Sequence, residues 1–337
     1  MKKKNTPIRL NANENFYGCS PKVLKAVIKN TNNISIYPAS PVRLEQKLAE
    51  KFKVDATNIV VGGGSVRLID GIIQSLTKPD DEIICFERSF VAYAQLAEAH
   101  RRKCILVPQK NFICIPENIL PHITKKTKVI FLANPNNPTG TIITHKQLEK
   151  LLQSIPETVT VVLDEAYAEY VTDKNFPKAV PLFRKYPNLI IIRTFSKIYG
   201  LAGLRIGFGI AHERVAGILK KNRIPFFFNS LCEDAALTAL EDEKYIQVCA
   251  GKNATERKYL LDGLQKLKLK AVPSQGNYIF VWFDNENQKD NLFKKFIDHG
   301  LLICNLNIFG QSNSLRIGIG NRKVNNSILK LVREFLK

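Results

Sequence analysis

Through its first two thirds the chain alternates short apolar, β-branched runs with segments whose apolar positions recur every three to four residues. The runs predicted as strands are Asn58–Val61, Glu82–Phe86, Cys104–Pro108, Lys128–Ala133, Thr160–Asp164, Leu189–Phe195 and Ile206–Ala211. They are close to continuously apolar, as strands covered on both faces are. Between them Ser65–Leu76, Phe90–His100, Thr144–Ile155 and Glu213–Asn222 carry the helical period, with Ser89 and Thr144 placed as N-caps. Strands alternating with helices predict an α/β fold on a mostly parallel, seven-stranded sheet.

The pattern changes after about residue 243. A long helical stretch to Leu267 leads to strand Tyr278–Phe283, a helix at Asn291–His299, strands Leu301–Cys304 and Leu315–Ile319, and a closing helix at Val324–Leu336. This predicts a smaller α+β unit, with the helices Pro21–Lys29 and Val42–Lys53 packed beside it. The division expected is a large domain over residues 40–245 and a small one assembled from 1–39 and 246–337.

Composition agrees: 337 residues, 45% hydrophobic and 24% charged, are ordinary for a globular chain of one large unit and a companion. Charge adds a question, because 50 Lys and Arg against 30 Asp and Glu give +20, which suits an anionic ligand, a nucleic acid or an acidic membrane. The basic clusters, such as Arg101–Lys103 and Lys125–Lys128, are scattered and form no nucleic-acid motif, so a nucleic-acid-binding protein is the weaker, non-enzyme alternative. No apolar run approaches the roughly 20 residues of a membrane helix. The basic start, Met1–Leu10, has no apolar stretch behind it, so no secretory signal is expected and the cytoplasm is the expected location. Seven cysteines without a C-x-x-C pair predict reduced thiols, with neither a disulfide framework nor a zinc site. The five histidines lack metal-ligand spacing and receive no catalytic role.

Three segments lie just beyond the carboxyl ends of predicted strands, where an open α/β sheet places its ligands. Asn134-Pro-Asn-Asn-Pro-Thr-Gly140 is a rigid turn that can aim an amide, or simply a tight connection. Asp164-Glu-Ala-Tyr167 ends a buried strand on an acid, which either pairs with a cation or caps the next turn. Thr194-Phe-Ser-Lys-Ile-Tyr-Gly-Leu-Ala-Gly-Leu-Arg205 puts a lysine among hydroxyls with an arginine eight positions on, a set that can hold a carbonyl as a Schiff base with an anion beside it.

Together these segments resemble the fold type I pyridoxal-phosphate-dependent aminotransferases, and within them the histidinol-phosphate aminotransferase family. The resemblance extends to Leu10-Asn-Ala-Asn-Glu-Asn15, Tyr37-Pro38, Val61-Gly-Gly-Gly-Ser-Val66, Arg223-Ile-Pro-Phe226 with Asn229, and Leu315-Arg-Ile-Gly-Ile-Gly320. It implies that Lys197 binds pyridoxal 5′-phosphate covalently and then moves the substrate proton. Asp164 would pair with the pyridine nitrogen, Asn137 and Tyr167 would hydrogen-bond the ring's phenolic oxygen, and Phe90 would stack on the ring. Arg205, Thr194, Ser196 and the backbone amides of Ser65 and Val66 would hold the phosphate. Arg316, together with Asn137, would meet the substrate. The resemblance also implies a homodimer in which Tyr37 reaches the partner's cofactor phosphate, and an amino-acid-type donor with a 2-oxo acid acceptor, 2-oxoglutarate.

Two departures from the family bear on the substrate, and a third has no assigned role. The chain begins about ten residues before Asn11, so the family's N-terminal arm with its substrate-reaching tyrosine is not expected. Cys304 stands where the family usually has an arginine for the substrate phosphate, and Ser65-Val-Arg67 replaces an acidic pair, leaving Arg67 without a role. The expected reaction is that of histidinol phosphate with 2-oxoglutarate, giving imidazole acetol phosphate and glutamate. Transamination of aromatic or other unphosphorylated amino acids is the alternative, followed by a decarboxylase of the threonine-phosphate type.

Overall fold

The computed structural model describes residues 6–337. Seven strands form the main sheet: β1 (Ile59–Gly62), β2 (Glu82–Phe86), β3 (Lys103–Val107), β4 (Thr127–Ala133), β5 (Thr160–Asp164), β6 (Leu189–Thr194) and β7 (Gly207–Ile210). Their spatial order is β1-β7-β6-β5-β4-β2-β3. All neighbours pair in parallel except β7, which runs antiparallel to both β1 and β6.

Successive side chains on a strand point to opposite faces, and both faces here are covered. Ile130, Leu132, Val161, Leu163 and Ile191 enter one buried cluster, whereas Val129, Phe131, Val162, Ile190 and Ile192 enter another. Each such side chain contributes roughly 1.5–3 kcal/mol on full burial, which is why the runs are continuous rather than alternating. Helix Ser65–Leu76 closes the second face with Leu68, Ile69, Ile72 and Ile73.

Thr144 caps helix His145–Ser154: its hydroxyl accepts from the Gln147 amide while Gln147 Oε1 accepts from the Thr144 amide, a reciprocal pair. Ser89 is not a cap. The helix expected at Phe90 begins at Ala92 with Val91 before it, and the Ser89 hydroxyl instead donates to Asn136 Oδ1 at 2.8 Å.

A four-stranded antiparallel sheet follows, from β8 (Lys270–Val272), β9 (Tyr278–Trp282), β10 (Cys304–Asn305) and β11 (Ser314–Gly318), in the order β10-β11-β9-β8. The run expected as one strand at Leu301–Cys304 is divided: Leu301–Leu302 pairs in parallel with Ile8–Arg9, and Cys304–Asn305 pairs with β11. Helices Pro21–Lys29 and Val42–Phe52 differ from expectation in their neighbours. Their apolar residues Val23, Leu44 and Leu48 join the core of the large sheet, and Asn30 and Arg43 bind Asp234 of helix Cys232–Glu241. Among the described residues no helix is long and apolar enough to cross a membrane.

Candidate active site

The sheet order reverses between β2 and β4, since the chain moves outward from β2 to β3 and then returns to build β4, β5 and β6 on the other side. Such a switch point opens a crevice at the carboxyl ends of the strands. Ala133 lies level with Asp164, and Thr194 and Gly62 both pair with Gly207, so the segments following these strands meet at one edge. There they line a cavity of about 550 Å³.

At one end of the cavity Arg205 Nη1 donates to the Ser196 hydroxyl at 3.2 Å and to the Ala202 carbonyl at 3.1 Å. Thr194, Ser65 and Val66 line the same wall, where helix Ser65–Leu76 begins. Two glycines keep this end open. A Cβ on Gly64 would lie 2.7 Å from Arg205 Nη2, and one on Gly207 would lie 2.4 Å from the Ser65 amide nitrogen. A guanidinium, hydroxyls and a helix N-terminus form a cup for an anion.

In the middle, Asp164 is 4% exposed. Its Oδ2 accepts from the Tyr93 hydroxyl at 2.8 Å and its Oδ1 from the Ala166 amide at 3.1 Å. Burial raises the carboxyl above its ordinary range, against the pull of these two donors and of Lys197. Tyr93 is itself fixed, stacked on Phe131 at 4.8 Å and edge-on to Phe90 at 5.6 Å. Phe90 lines the cavity beside it.

Lys197, half-buried, donates to the Ala12 carbonyl at 3.0 Å and sits 5.5 Å from the centre of the Tyr167 ring. Burial first, and then the charges of Arg316 and Arg205, push its pKa down to about 7, with Glu14 and Asp164 opposing. An amine that is half neutral near pH 7 can attack a carbonyl or take a proton, whereas an ordinary lysine cannot. The Tyr167 hydroxyl accepts from Asn13 Nδ2 at 2.9 Å, which leaves its own proton available to donate.

At the other end stands Arg316, buried on β11. It donates to Asn137 Oδ1 and, at 2.6 Å, to the Asn11 carbonyl, while its Nε has no partner. Cys304 is its cross-strand neighbour, and Phe309 lies 5.6 Å from its guanidinium. Burial raises the Cys304 thiol above its ordinary pKa, so it is a neutral group there.

The residues expected at the site therefore converge on this cavity, with one exception. Tyr37 is 77% exposed and packs on Phe226, with ring centroids 4.4 Å apart. Arg67 pairs with Asp70 at 2.7 Å, and Asp70 also meets His100 Nε2 at 2.6 Å. The sequence reading missed Tyr93 and Asn13. Tyr93 lies three residues after Phe90, one turn on in the helix that the sequence predicts from Phe90, which was the available signal. Behind Asp164, the buried Glu165 pairs with Arg193 at 2.6 Å, and Arg193 also binds Glu169. The seven cysteines are free thiols, as expected.

A family model for aminotransferases of class I and II matches residues 5–331. A histidinol-phosphate aminotransferase from Moorella thermoacetica is 36% identical over 98% of this chain and 85% of its own length. One from Brevibacillus brevis is 36% identical over 98% of this chain and 90% of its own. Among solved structures, a histidinol-phosphate aminotransferase from Sinorhizobium meliloti in complex with pyridoxal-5′-phosphate matches with a TM-score of 0.90, at 25% identity, covering 98% of this chain and 92% of that one. An L-threonine-O-3-phosphate decarboxylase from Porphyromonas gingivalis shares the fold, with a TM-score of 0.85 at 22% identity over 98% of this chain and 99% of that one.

Proposed function

Because the chain belongs to the class I and II aminotransferases, we propose that its amino donor is histidinol phosphate and its acceptor 2-oxoglutarate. It is a pyridoxal-phosphate-dependent transaminase of fold type I, acting on an amino-acid-type donor and a 2-oxo acid. The geometry suits the cofactor. The cup that Gly64 and Gly207 keep clear takes a phosphate, and the buried Asp164, raised in pKa by its burial, takes a protonated ring nitrogen. When bound, pyridoxal phosphate supplies a carbonyl that captures the donor's amine and a ring that withdraws electrons from its Cα.

The chain's own residues do the rest. Arg205, Ser196, Thr194 and the amides of Ser65 and Val66 would anchor the phosphate. Asp164, oriented by the Tyr93 hydroxyl and the Ala166 amide, would keep the ring nitrogen protonated. Asn137 and Tyr167 would steady the phenolic oxygen, the first fixed by Arg316 and the second by Asn13. Phe90 would cover the ring face. Lys197 would take the proton from the donor's Cα, a task for which its pKa of about 7 suits it. Arg316, with an unpartnered N–H, would bind the donor's anionic end.

The observation that carries the reading is this lysine, poised near neutrality between an anion cup and a buried arginine. Tyr93→Phe tests the cofactor side. Losing a hydrogen bond to a charged group is expected to weaken pyridoxal phosphate binding about tenfold. Titration of the cofactor-free chain measures it, and an unchanged affinity would remove Tyr93 from the account.

Cys304 favours a second reading, transamination of unphosphorylated aromatic amino acids, because the wall facing Arg316 is a neutral thiol backed by Phe280, Leu306 and Phe309. Cys304→Arg separates the two ends of a donor. An added guanidinium is expected to lower the KM for histidinol phosphate about tenfold and to leave that for phenylalanine no lower. Equal changes for both donors would show that position 304 does not face the phosphate. Carbon dioxide release from a phospho-amino acid would mark a decarboxylase instead.

The exposed apolar residues Ile34, Ile36, Tyr37, Ile224 and Phe226 support a homodimer in which Tyr37 reaches the partner's phosphate cup. A hydrodynamic mass of one 38.1 kDa chain would contradict it. Free thiols throughout suit a reducing cytoplasm.

A further inference from the structure

Helix Glu286–Asp298 buries Leu292 and Phe296 on its inner face, and also, on the same face, Lys289. Lys289 is 0% exposed. An apolar residue would fill that position without the cost of taking a charge out of water. Its ammonium donates to Asp290 at 2.6 Å and stands 3.9 Å from Glu286, which satisfies the charge within its own helix. The remaining bond leaves the helix: Nζ donates to Asn307 Oδ1 at 3.1 Å.

Asn307 belongs to the turn Leu306–Phe309, which supplies Ile308 and Phe309 to the cavity wall, Phe309 beside Arg316. The turn starts where Asn305 Oδ1 accepts from the Asn307 amide at 3.1 Å, and it closes where Gly310 and Gln311 donate to the Asn307 and Leu306 carbonyls. Beyond it, Gln311 Oε1 accepts from Arg88 Nε at 2.7 Å, a tie to the loop after β2. The turn is thus held on one side by Lys289 and on the other by Arg88, and between them Phe309 lies against Arg316.

We propose that Lys289 is a positioning residue: a buried strut that, through Asn307, sets the wall of the substrate cavity and so the fit of the donor's distal end against Arg316. It touches neither substrate nor cofactor. A buried cation placed to hold a turn acts on substrate binding and leaves the proton-moving groups in place.

The proposal rests on the transaminase reading for its kinetic arm and is independent of it in a second arm. Lys289→Met keeps the apolar stem and removes the bond to Asn307; Asn307→Leu removes the same bond from an exposed position and serves if the first variant folds poorly. For each, the KM for histidinol phosphate is expected to rise about tenfold, the effect of losing a charge-assisted hydrogen bond, with kcat within about twofold and pyridoxal phosphate affinity unchanged. The double variant should add nothing to either, since both remove one interaction. Backbone hydrogen exchange at Gly310 and Gln311 should quicken about tenfold in the same variants. If the wild type does not turn over histidinol phosphate, the donor reading fails, and the KM is read with phenylalanine while exchange is read as before. Wild-type KM and wild-type exchange in Asn307→Leu would overturn the strut, as would a joint fall of kcat and cofactor affinity, which marks a merely structural role.

Discussion

Lys197→Met lowers the rate of transamination by about four orders of magnitude, the upper range for removal of a positioned acid-base group, and no change of pH restores it. The side chain makes a single hydrogen bond, to the Ala12 carbonyl, so the fold does not depend on it. Steady-state formation of glutamate from 2-oxoglutarate measures the loss, and retention of activity within tenfold would remove Lys197 from the mechanism. The substitution also has a signature without substrate. The folded pKa of about 7 lies below the ordinary 10.5, so between these values the unfolded chain binds the extra proton. The lysine's contribution to stability therefore rises with pH through that window and is most unfavourable at its acid end. Relative to wild type, the cofactor-free variant should gain thermal stability near pH 7 and lose that advantage by about pH 10. A pH-independent difference between the two would mean that the amine is not depressed.

Asp164→Ala is expected to cost about two hundred- to five thousandfold in kcat/KM and to weaken pyridoxal phosphate binding. Removing one partner of a buried ion pair typically costs 3–5 kcal/mol, and here the ring nitrogen would be left without its anion. Without cofactor the sign reverses for Asp164→Asn. Burial holds the wild-type carboxyl above its ordinary pKa, so in the carboxylate range the folded chain binds more protons than the unfolded one. The group then loses stabilising power as pH rises through that range. The cofactor-free asparagine variant should melt no lower than wild type at neutral pH, and any gain should fade as the acid protonates. A variant that melts lower without cofactor, yet binds cofactor normally, would make Asp164 a structural cap rather than a partner for the ring.

Much of this was legible in the chain because it depends on local chemistry. Continuous apolar runs such as Val129–Ala133 can be satisfied only by a strand covered on both faces, and the segments beyond them had nowhere to go but the sheet's carboxyl edge. Thr144 was readable as a cap because Gln147 completes its reciprocal pair. Ser89 misled because its hydroxyl donates to Asn136, from a distant loop, instead of accepting from the first amides of a helix, and no local rule contains that partner. Leu301–Cys304 looked like one strand since periodicity cannot tell which sheet a residue joins. The helix Cys232–Glu241 was missed because its inner face is mostly Cys and Ala, too weakly apolar to announce itself. At the site, Lys197 and Asp164 carried their own signal, whereas Tyr93, Asn13 and Lys289 act through partners between 18 and 154 residues away. Their identities became meaningful only when those distances closed.

The donor decides the central claim. The most direct measurement is kcat/KM of the holoenzyme for histidinol phosphate against phenylalanine, both with 2-oxoglutarate at physiological ionic strength. If Arg316 grips a phosphate, the ratio favours histidinol phosphate by about a hundredfold, the upper worth of one charge-assisted pair. A ratio at or below one would contradict it and make Cys304 the mark of an enzyme for unphosphorylated aromatic amino acids.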